Sequence, residues 1–198
     1  MALAFLLTKG GKKKNAAKRF VILHVDHGLR KESKEEYRFV RALAKRLGVG
    51  FKGVHAKVER QKGESIEMAA RRVRLEFFAK CVKSLKLDAV ATGHTMDDVA
   101  ETFLMRLKRV SLKNIQERSQ VGAISFVRPL LGCRDRELQA YLKRYGEEWR
   151  EDASNDDTSI ERNQVRHVVI PFLERELDRN LVKHLAEIAG RKLVAGGN

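Results

Sequence analysis

Hydrophobic and polar positions follow two different periods along the first hundred residues of the chain. Runs rich in apolar residues occupy 20–25, 49–54 and 88–92, which is typical of strands buried in a parallel sheet. Between these runs, apolar residues recur every three or four positions over 33–47 and 66–85, which predicts amphipathic helices. Strands that alternate with helices at this spacing predict βαβ units. We therefore expect an α/β fold with a doubly wound parallel sheet and helices on both faces.

The remaining segments predict one more strand and several helices. These are a helix over 1–8, a strand over 123–127 that ends before Pro129, a helix over 134–145, and a helical segment interrupted at Pro171. A length of 198 residues suits one sizeable domain. We expect a single domain over 1–198 with a helical C-terminal part at 134–198.

An acidic stripe follows the third predicted strand. His94, Asp97, Asp98 and Glu101 are spaced by zero, three, four and seven positions, which places them on one face of a helix. Three carboxylates crowded together repel one another unless a cation, a basic substrate or shared protons offset the charge. Ligands of open α/β sheets bind beyond the carboxyl ends of strands, so the position also favours a site. The alternative is a solvated acidic face with Thr95 as its helix cap.

The balance of charge indicates the kind of partner. The chain has 41 Lys and Arg against 26 Asp and Glu, a net charge of +15, which suits a polyanion such as nucleic acid better than a membrane surface. Two cysteines are too few for a disulfide scaffold, which favours a reducing, cytoplasmic setting. Since no apolar run approaches the roughly 20 residues that cross a bilayer, we expect no membrane partner.

Two further groups of polar residues have both an ordinary and a functional interpretation. Arg71, Arg72 and Arg74 lie off the apolar stripe of the helix over 66–85, either as solvated charges or as part of a phosphate-facing patch. The segment over 149–167 is either an Asx-rich loop that leads into a helix or a loop ordered against a nucleotide or phosphate.

Five segments appear in the same order as the motifs of the tRNA(Ile)-lysidine synthetases, which belong to the PP-loop ATP pyrophosphatase superfamily. They are HVDHGLR at 24–30, GESIEMAARRVRLEFF at 63–78, ATGHTMDDVAET at 91–102, RPLL at 128–131 and EDASNDDTSIERNQVRHVVIP at 151–171. The chain resembles that family over nearly its whole length. The resemblance implies a Rossmann-like fold of the PP-loop, adenine nucleotide alpha hydrolase type.

The resemblance also implies a reaction and its partners. Members of the family use ATP and Mg²⁺ to adenylate the C2 oxygen of the first anticodon cytidine of tRNA(Ile) with a CAU anticodon. The amine of free L-lysine then displaces AMP and forms lysidine. A homodimer is one assembly open to such a chain. The rival interpretations are another PP-loop tRNA modifier, such as a thiolase, and a non-catalytic tRNA-binding remnant.

The matching motifs carry over three sets of site residues. His94 and Asp98 would act around the adenylate, and Asp97 and Glu101 would serve lysine or a metal ion, with Asp97 as the metal candidate. The residues expected to bind ATP are Asp26, His27, Arg30, Thr92, Gly93, Gly196 and Gly197. The residues expected to contact substrate or tRNA are Glu67, Arg71, Arg74, Arg106, Arg128, Asn155, Arg162, Asn163 and Arg166.

The chain departs from the family at its ends. The family's Ser-Gly-Gly-x-Asp-Ser phosphate loop is absent from the start, where residues 1–4 resemble the helix that should follow it. Residues 192–198 resemble a strand that leads into Gly196 and Gly197, with Ala195 in place of the serine. Either the chain is circularly permuted within the loop, or it lacks the first segment of the family. We also expect the family's C-terminal tRNA-binding domains to be absent.

Overall fold

The computed structural model describes residues 1–9, 20–28, 33–107, 114–147, 149 and 160–190. The chain forms two compact units. The first unit comprises Met1, 3–90 and 120–126, and the second comprises Ala2, 91–119 and 127–198. No helix within the described ranges is both long and apolar enough to cross a bilayer.

A parallel βαβ unit forms the first part of the fold. Its elements follow a short first helix, and the bounds are α1 (Ala2–Lys9), β1 (Val21–Asp26), α2 (Ser33–Leu47), β2 (Gly50–His55) and α3 (Ile66–Leu85). Strands β1 and β2 pair in parallel from Val21 opposite Gly50 to Asp26 opposite His55. The predicted α/β alternation is therefore confirmed, with strand bounds shifted by one residue.

Helix α3 has a defined cap at each end. The Ser65 hydroxyl accepts a hydrogen bond from the Met68 N–H at 3.1 Å. At the other end Lys86 adopts a left-handed conformation with φ of 52°, and its N–H donates to the Val82 carbonyl. These caps explain why the helix covers the predicted range of 66–85.

A second, three-stranded sheet follows α3. Its strands are β3 (Val90–Ala91), β4 (Arg118–Val121) and β5 (Ile124–Val127), in the order β3-β5-β4. Strand β4 was not predicted because its sequence, RSQV, has no apolar alternation and three of its four residues are exposed. Gly122, with φ of 56°, lies in the two-residue connection between β4 and β5, where a tight hairpin requires positive φ.

The core of the first unit includes residues of β3 and β5. Val90, Ile124 and Phe126 are buried, and side chains of β1 and α3 pack against them: Leu23, Leu75, Phe78, Ala79 and Val82. The rings of Phe78 and Phe126 have centroids 6.5 Å apart. The apolar stripe of α3 is therefore used for packing, as its periodicity predicts.

The second unit is mainly helical. Its helices are α4 (Met96–Leu107), α5 (Asp135–Arg144), α6 (Glu161–Gln164), a π-helix (Val165–Val169), α7 (Ile170–Glu176) and α8 (Leu181–Gly190). Ala100 of α4 is fully buried among side chains of the later helices: Val165, Ile170, Leu181, Val182 and Leu185. Helix α4 therefore lies at the centre of this unit, and its polar face is held close to α6 and the π-helix.

The predicted interruption at Pro171 is wrong. The chain stays helical from Glu161 to Glu176, with Pro171 in the first turn of α7. The π-helix precedes it, and the Ile170 N–H donates to the Val165 carbonyl five residues back. Proline is tolerated there because it follows the wider turn, where its missing N–H and its ring disturb the α-helical hydrogen bonds least.

Candidate active site

Helix α4 begins with a reciprocal cap at Thr95. The Thr95 N–H donates to Asp98 Oδ2 at 2.7 Å, and the Asp98 N–H lies 3.4 Å from Thr95 Oγ1. The alternative role of Thr95 as a helix cap is therefore confirmed. One carboxylate oxygen of Asp98, Oδ2, takes part in this cap, and the other, Oδ1, remains to accept a hydrogen bond from a different residue.

Glu101 is a fully buried carboxylate between two arginines. Its residue exposure is 0%, and its two oxygens accept hydrogen bonds from Arg162 Nε at 2.7 Å and Arg166 Nε at 2.6 Å. Arg162 Nη2 also donates to Asp98 Oδ1 at 2.5 Å. An isolated buried carboxylate would be very costly, so the guanidiniums are what make this position tenable.

The spacing of both helices explains this contact. Asp98 and Glu101 are three residues apart on α4, while Arg162 and Arg166 are four apart across α6 and the π-helix. Each pair therefore lies on one helical face. The cation that the crowded carboxylates require is supplied by the protein itself.

Asp97, on the same face of α4, contacts the start of α5. Its two oxygens accept hydrogen bonds from Arg134 Nε at 2.9 Å and the Asp135 N–H at 2.7 Å. Arg134 also pairs with Glu174 of α7 at 3.2 Å. Within the described ranges, no three His, Cys, Asp or Glu side chains are grouped to hold a metal ion. Both oxygens of Asp97 already accept hydrogen bonds from the protein, and its role as a metal ligand stays a prediction.

Asp135 is a site residue that the sequence analysis missed. Burial raises the pKa of its carboxyl group, a hydrogen bond with Thr95 opposes that rise, and the charges of Asp97 and Asp98 add to it. We call the following set the acidic cluster: Asp97, Asp98, Glu101, Asp135 and Glu174. Among the described residues, three arginines pair with four of these five carboxylates: Arg134, Arg162 and Arg166.

His94 lies before α4 and not on its face. The helix begins at Met96, so the predicted helical stripe of four side chains is shortened to three. His94 Nδ1 lies 2.8 Å from Thr92 Oγ1, and the Thr92 N–H donates to the Val127 carbonyl. Thr92, Gly93 and His94 therefore form the turn between β3 and α4, at the carboxyl end of the strand.

The first unit holds a separate group that we call the histidine pocket. Its lining residues are His24, Val25, Asp26, His27, Gly28, Ser33 and Glu36. Asp26 is 5% exposed and accepts hydrogen bonds from the Gly28 N–H at 2.8 Å and from His55 Nδ1 at 2.7 Å. Burial alone would raise the pKa of Asp26, but these bonds and one from Ser33 hold it below its usual value.

His27 turns a polar atom inward in this pocket. Its Nδ1 is buried and has no hydrogen-bond partner among the described residues. Burial lowers the pKa of His27, and the nearby charge of Arg74 lowers it further. A neutral imidazole with one nitrogen that lacks a hydrogen-bond partner can form a hydrogen bond with a polar ligand.

Tyr37 packs against two imidazoles: that of His24, which lines the pocket, and that of His55, which contacts Asp26. Its ring stacks on His55 at a centroid distance of 4.3 Å and meets His24 edge-on at 5.6 Å. Gly53 makes room for Tyr37, because a Cβ atom at Gly53 would lie 2.5 Å from Tyr37 Cε2.

The other predicted residues are scattered. Glu67, Arg71 and Arg74 lie on α3, and burial followed by the charge of Arg71 lowers the pKa of Arg74. Arg106 lies in the last turn of α4, and Asn163 is buried in α6. Arg128 Nη1 donates to the Gln116 carbonyl at 2.7 Å and to Ser119 Oγ at 3.0 Å. Four predicted residues lie outside the described part of the chain: Arg30, Asn155, Gly196 and Gly197.

Several bacterial proteins are similar to most of this chain. A tRNA(Ile)-lysidine synthase from Thermus thermophilus is 41% identical over 177 residues, which cover 88% of this chain and 33% of the relative. Enzymes of the same name from Solibacter usitatus and Pseudomonas syringae pv. tomato are each 39% identical, over 85% and 76% of this chain and 38% and 34% of their own lengths. The chain thus spans about a third of these relatives, and the resemblance seen in the motifs is confirmed.

A solved structure shares the fold. The U34-tRNA thiolase NcsA from Methanococcus maripaludis superposes with a TM-score of 0.71 over 95% of this chain and 67% of its own, at 14% sequence identity. At that identity the likeness concerns the fold alone, and it agrees with the predicted α/β class. Residues 1–173 match the family described as the PP-loop domain. This chain belongs to the PP-loop domain family.

Proposed function

We propose that this chain carries out the ATP-dependent ligation of lysine to C2 of the first anticodon cytidine of tRNA(Ile) with a CAU anticodon. The observation that carries the proposal is the acidic cluster, in which five described carboxylates lie with three arginines near the end of β3, in a chain of net charge +15. An acidic site on a basic protein suits a cationic co-substrate joined to a polyanion. Its partners would be tRNA(Ile), free lysine and ATP in the cytoplasm.

The reaction joins two transfers. The cytidine C2 oxygen attacks the α-phosphorus of ATP, and pyrophosphate leaves. The amine of lysine then attacks C2, the C–O bond to AMP breaks, and the amine loses its protons. Mg²⁺ would accompany ATP and compensate the charge of its phosphates.

The residues of the acidic cluster have separate roles in this proposal. Asp98, whose side chain is 17% exposed and pairs with Arg162, would bind the lysine ammonium group and take up a proton from the attacking amine. The buried Glu101 acts through Arg162 and Arg166, which occupy both of its oxygens. Asp97 is a positioning residue, because both of its oxygens tie α4 to the start of α5. His94, in the turn after β3, faces the adenylate.

A different activity, tRNA thiolation, has less support. The chain has two cysteines, Cys81 and Cys133, which are far apart in the sequence and form no Cys-x-x-Cys pair. Burial raises the pKa of Cys81, which disfavours its reactive thiolate. A non-catalytic tRNA-binding protein is the second candidate, favoured by the arginines that already occupy the oxygens of Glu101.

Incorporation of labelled lysine into transcribed tRNA(Ile) tests the proposal. With ATP present, we expect lysine incorporation and AMP release in equal amounts, and no incorporation when the first anticodon base is guanosine. Asp98→Asn should lower the rate by about 100-fold, because it removes negative charge and a proton acceptor. Glu76→Gln, an exposed carboxylate on α3, is the matched control. Retained tRNA binding without any incorporation would favour the non-catalytic protein.

A further inference from the structure

The exposed face of α5 has the composition of a nucleic-acid contact. Arg136, Lys143 and Arg144 are exposed on this ten-residue helix, and Arg136 and Lys143 are seven residues apart, which places them on one face. Within the described ranges, no ion pair joins these three residues to an acidic side chain. Their charge is therefore available to an anionic partner.

An aromatic pair lies at the end of the same helix. The rings of Tyr141 and Tyr145 have centroids 4.8 Å apart at an interplanar angle of 47°, and Tyr145 is 56% exposed. A hydrogen bond between the two hydroxyls contributes to the raised pKa of Tyr141, after burial and the charge of Tyr145. Exposed aromatic rings beside basic groups are what single-stranded nucleic acids bind, because every base has a face that can stack.

The end of α5 holds Tyr145 on a rigid support. Its N–H donates to the Leu142 and Lys143 carbonyls, Gly146 follows with φ of 66°, and the Glu147 N–H donates to the Leu142 carbonyl at 3.0 Å. A ring fixed in this way loses little conformational entropy on binding.

The other end of α5 reaches the acidic cluster. The Asp135 N–H donates to Asp97 Oδ2, so the helix begins at the candidate active site and extends from it. Ten residues of α-helix are about 15 Å long, roughly the length of four stacked nucleotides. An unpaired strand that lies along α5 would therefore lead from Tyr145 to the site.

We propose that the exposed face of α5 binds the single-stranded loop of the RNA substrate, with Tyr145 stacked on an unpaired base and Arg136, Lys143 and Arg144 on phosphates. This inference rests on the proposed function for the identity of the RNA. It identifies the surface that positions the loop, and it predicts that this surface binds unpaired RNA and not a duplex.

Fluorescence anisotropy with the full chain tests the proposal. The probes are a labelled stem-loop with CAU in its loop and a fully paired duplex of the same length, titrated at several salt concentrations. Tyr145→Ala should weaken stem-loop binding about tenfold, while Tyr145→Phe stays near wild type and neither changes duplex binding. Lys143→Gln with Arg144→Gln should reduce the salt slope by about 1.4. The charge-matched control pair, Lys80→Gln with Lys83→Gln on α3, should leave that slope unchanged.

Two results would contradict the proposed role of α5. The first is stem-loop binding that Tyr145→Ala does not weaken. The second is an equal loss of affinity for the stem-loop and the duplex, which indicates a general polyanion contact. Circular dichroism confirms that each variant is folded. Lysine incorporation measured in parallel separates the two proposals. A wild-type chain that binds the loop through Tyr145 but forms no lysidine overturns the proposed function alone. Lysidine formation with Tyr145-insensitive binding overturns the α5 surface alone.

Discussion

The acidic cluster and the histidine pocket each bury a carboxylate, but they compensate its charge in different ways. Glu101 is held by two guanidiniums, which keep their charge at any pH at which the protein is folded. Asp26 is held by a backbone N–H, a hydroxyl and the imidazole of His55. The comparison teaches that the first site depends on ion pairing and the second mainly on hydrogen bonding.

The largest effect is expected from removing the charge of Glu101. Glu101→Gln leaves Arg162 and Arg166 without their shared carboxylate and should lower the free energy of unfolding by about 3 kcal/mol. Urea denaturation measures this loss. Glu76→Gln, whose carboxylate is 58% exposed and pairs with Arg72, should cost less than about 1 kcal/mol. Equal losses in the two variants would contradict the role given to the ion pairs.

A smaller effect is expected from crowding Tyr37, which packs on His24 of the histidine pocket. In Gly53→Ala the new methyl group would meet Tyr37 at 2.5 Å and Phe51 at 2.7 Å, which should cost about 1 to 3 kcal/mol. Gly50→Ala in the same strand is the matched control, since its nearest contact is Val21 Cγ2 at 3.3 Å. Tyr37→Ala should relieve the effect of Gly53→Ala in a double-mutant cycle. Additive losses would show that Tyr37 does not fill this space.

The smallest expected effect is a pH dependence of opposite sign in the two regions. Burial lowers the pKa of His27, so its contribution to stability is present above about pH 6.5 and is lost as the pH falls through the lowered value. The pKa of Asp135 is raised, chiefly by burial, so its contribution is present below about pH 3.9 and is lost as the pH rises through the raised value.

Amide hydrogen exchange of β1 and of α4 between pH 4 and 7 checks these signs region by region. After correction for the intrinsic exchange rates, the contribution of His27 to protection in β1 should increase with pH, and the contribution of Asp135 to protection in α4 should decrease. His27→Gln should flatten the first trend and Asp135→Asn the second. Trends of the same sign in both regions would refute the distinction between the two sites.

The sequence predicts elements whose pattern comes from burial, and it misses those whose pattern does not. Strands β1, β2 and β5 are apolar runs, and α3 has a clear apolar stripe, so each was found within a few residues. Strand β4 is short, polar and mostly exposed, and it forms only because β5 supplies its partner.

The candidate site was predicted in part for a related reason. The spacing of Asp97, Asp98 and Glu101 is local and visible in the sequence. Arg162 lies 61 positions from Glu101 and 64 from Asp98, so sequence reasoning assigned it to phosphate or tRNA and not to these carboxylates. Asp135 lies within the predicted helix over 134–145, and nothing in the local sequence marks it as a site residue. Contacts between distant segments depend on the packing of α4, which periodicity alone does not specify.

The π-helix has a consequence for the geometry of the whole C-terminal run. Val165 and Ile170 both pack in the core, yet residues five apart in an α-helix point about 140° away from each other. The one extra residue per turn brings these two side chains onto the same side. Deleting a single residue from 165–169 would rotate the helical residues that follow by about 100°. The helix would then keep either the core contacts of Ile170 or the salt bridges of Arg162 and Arg166 with α4, and not both.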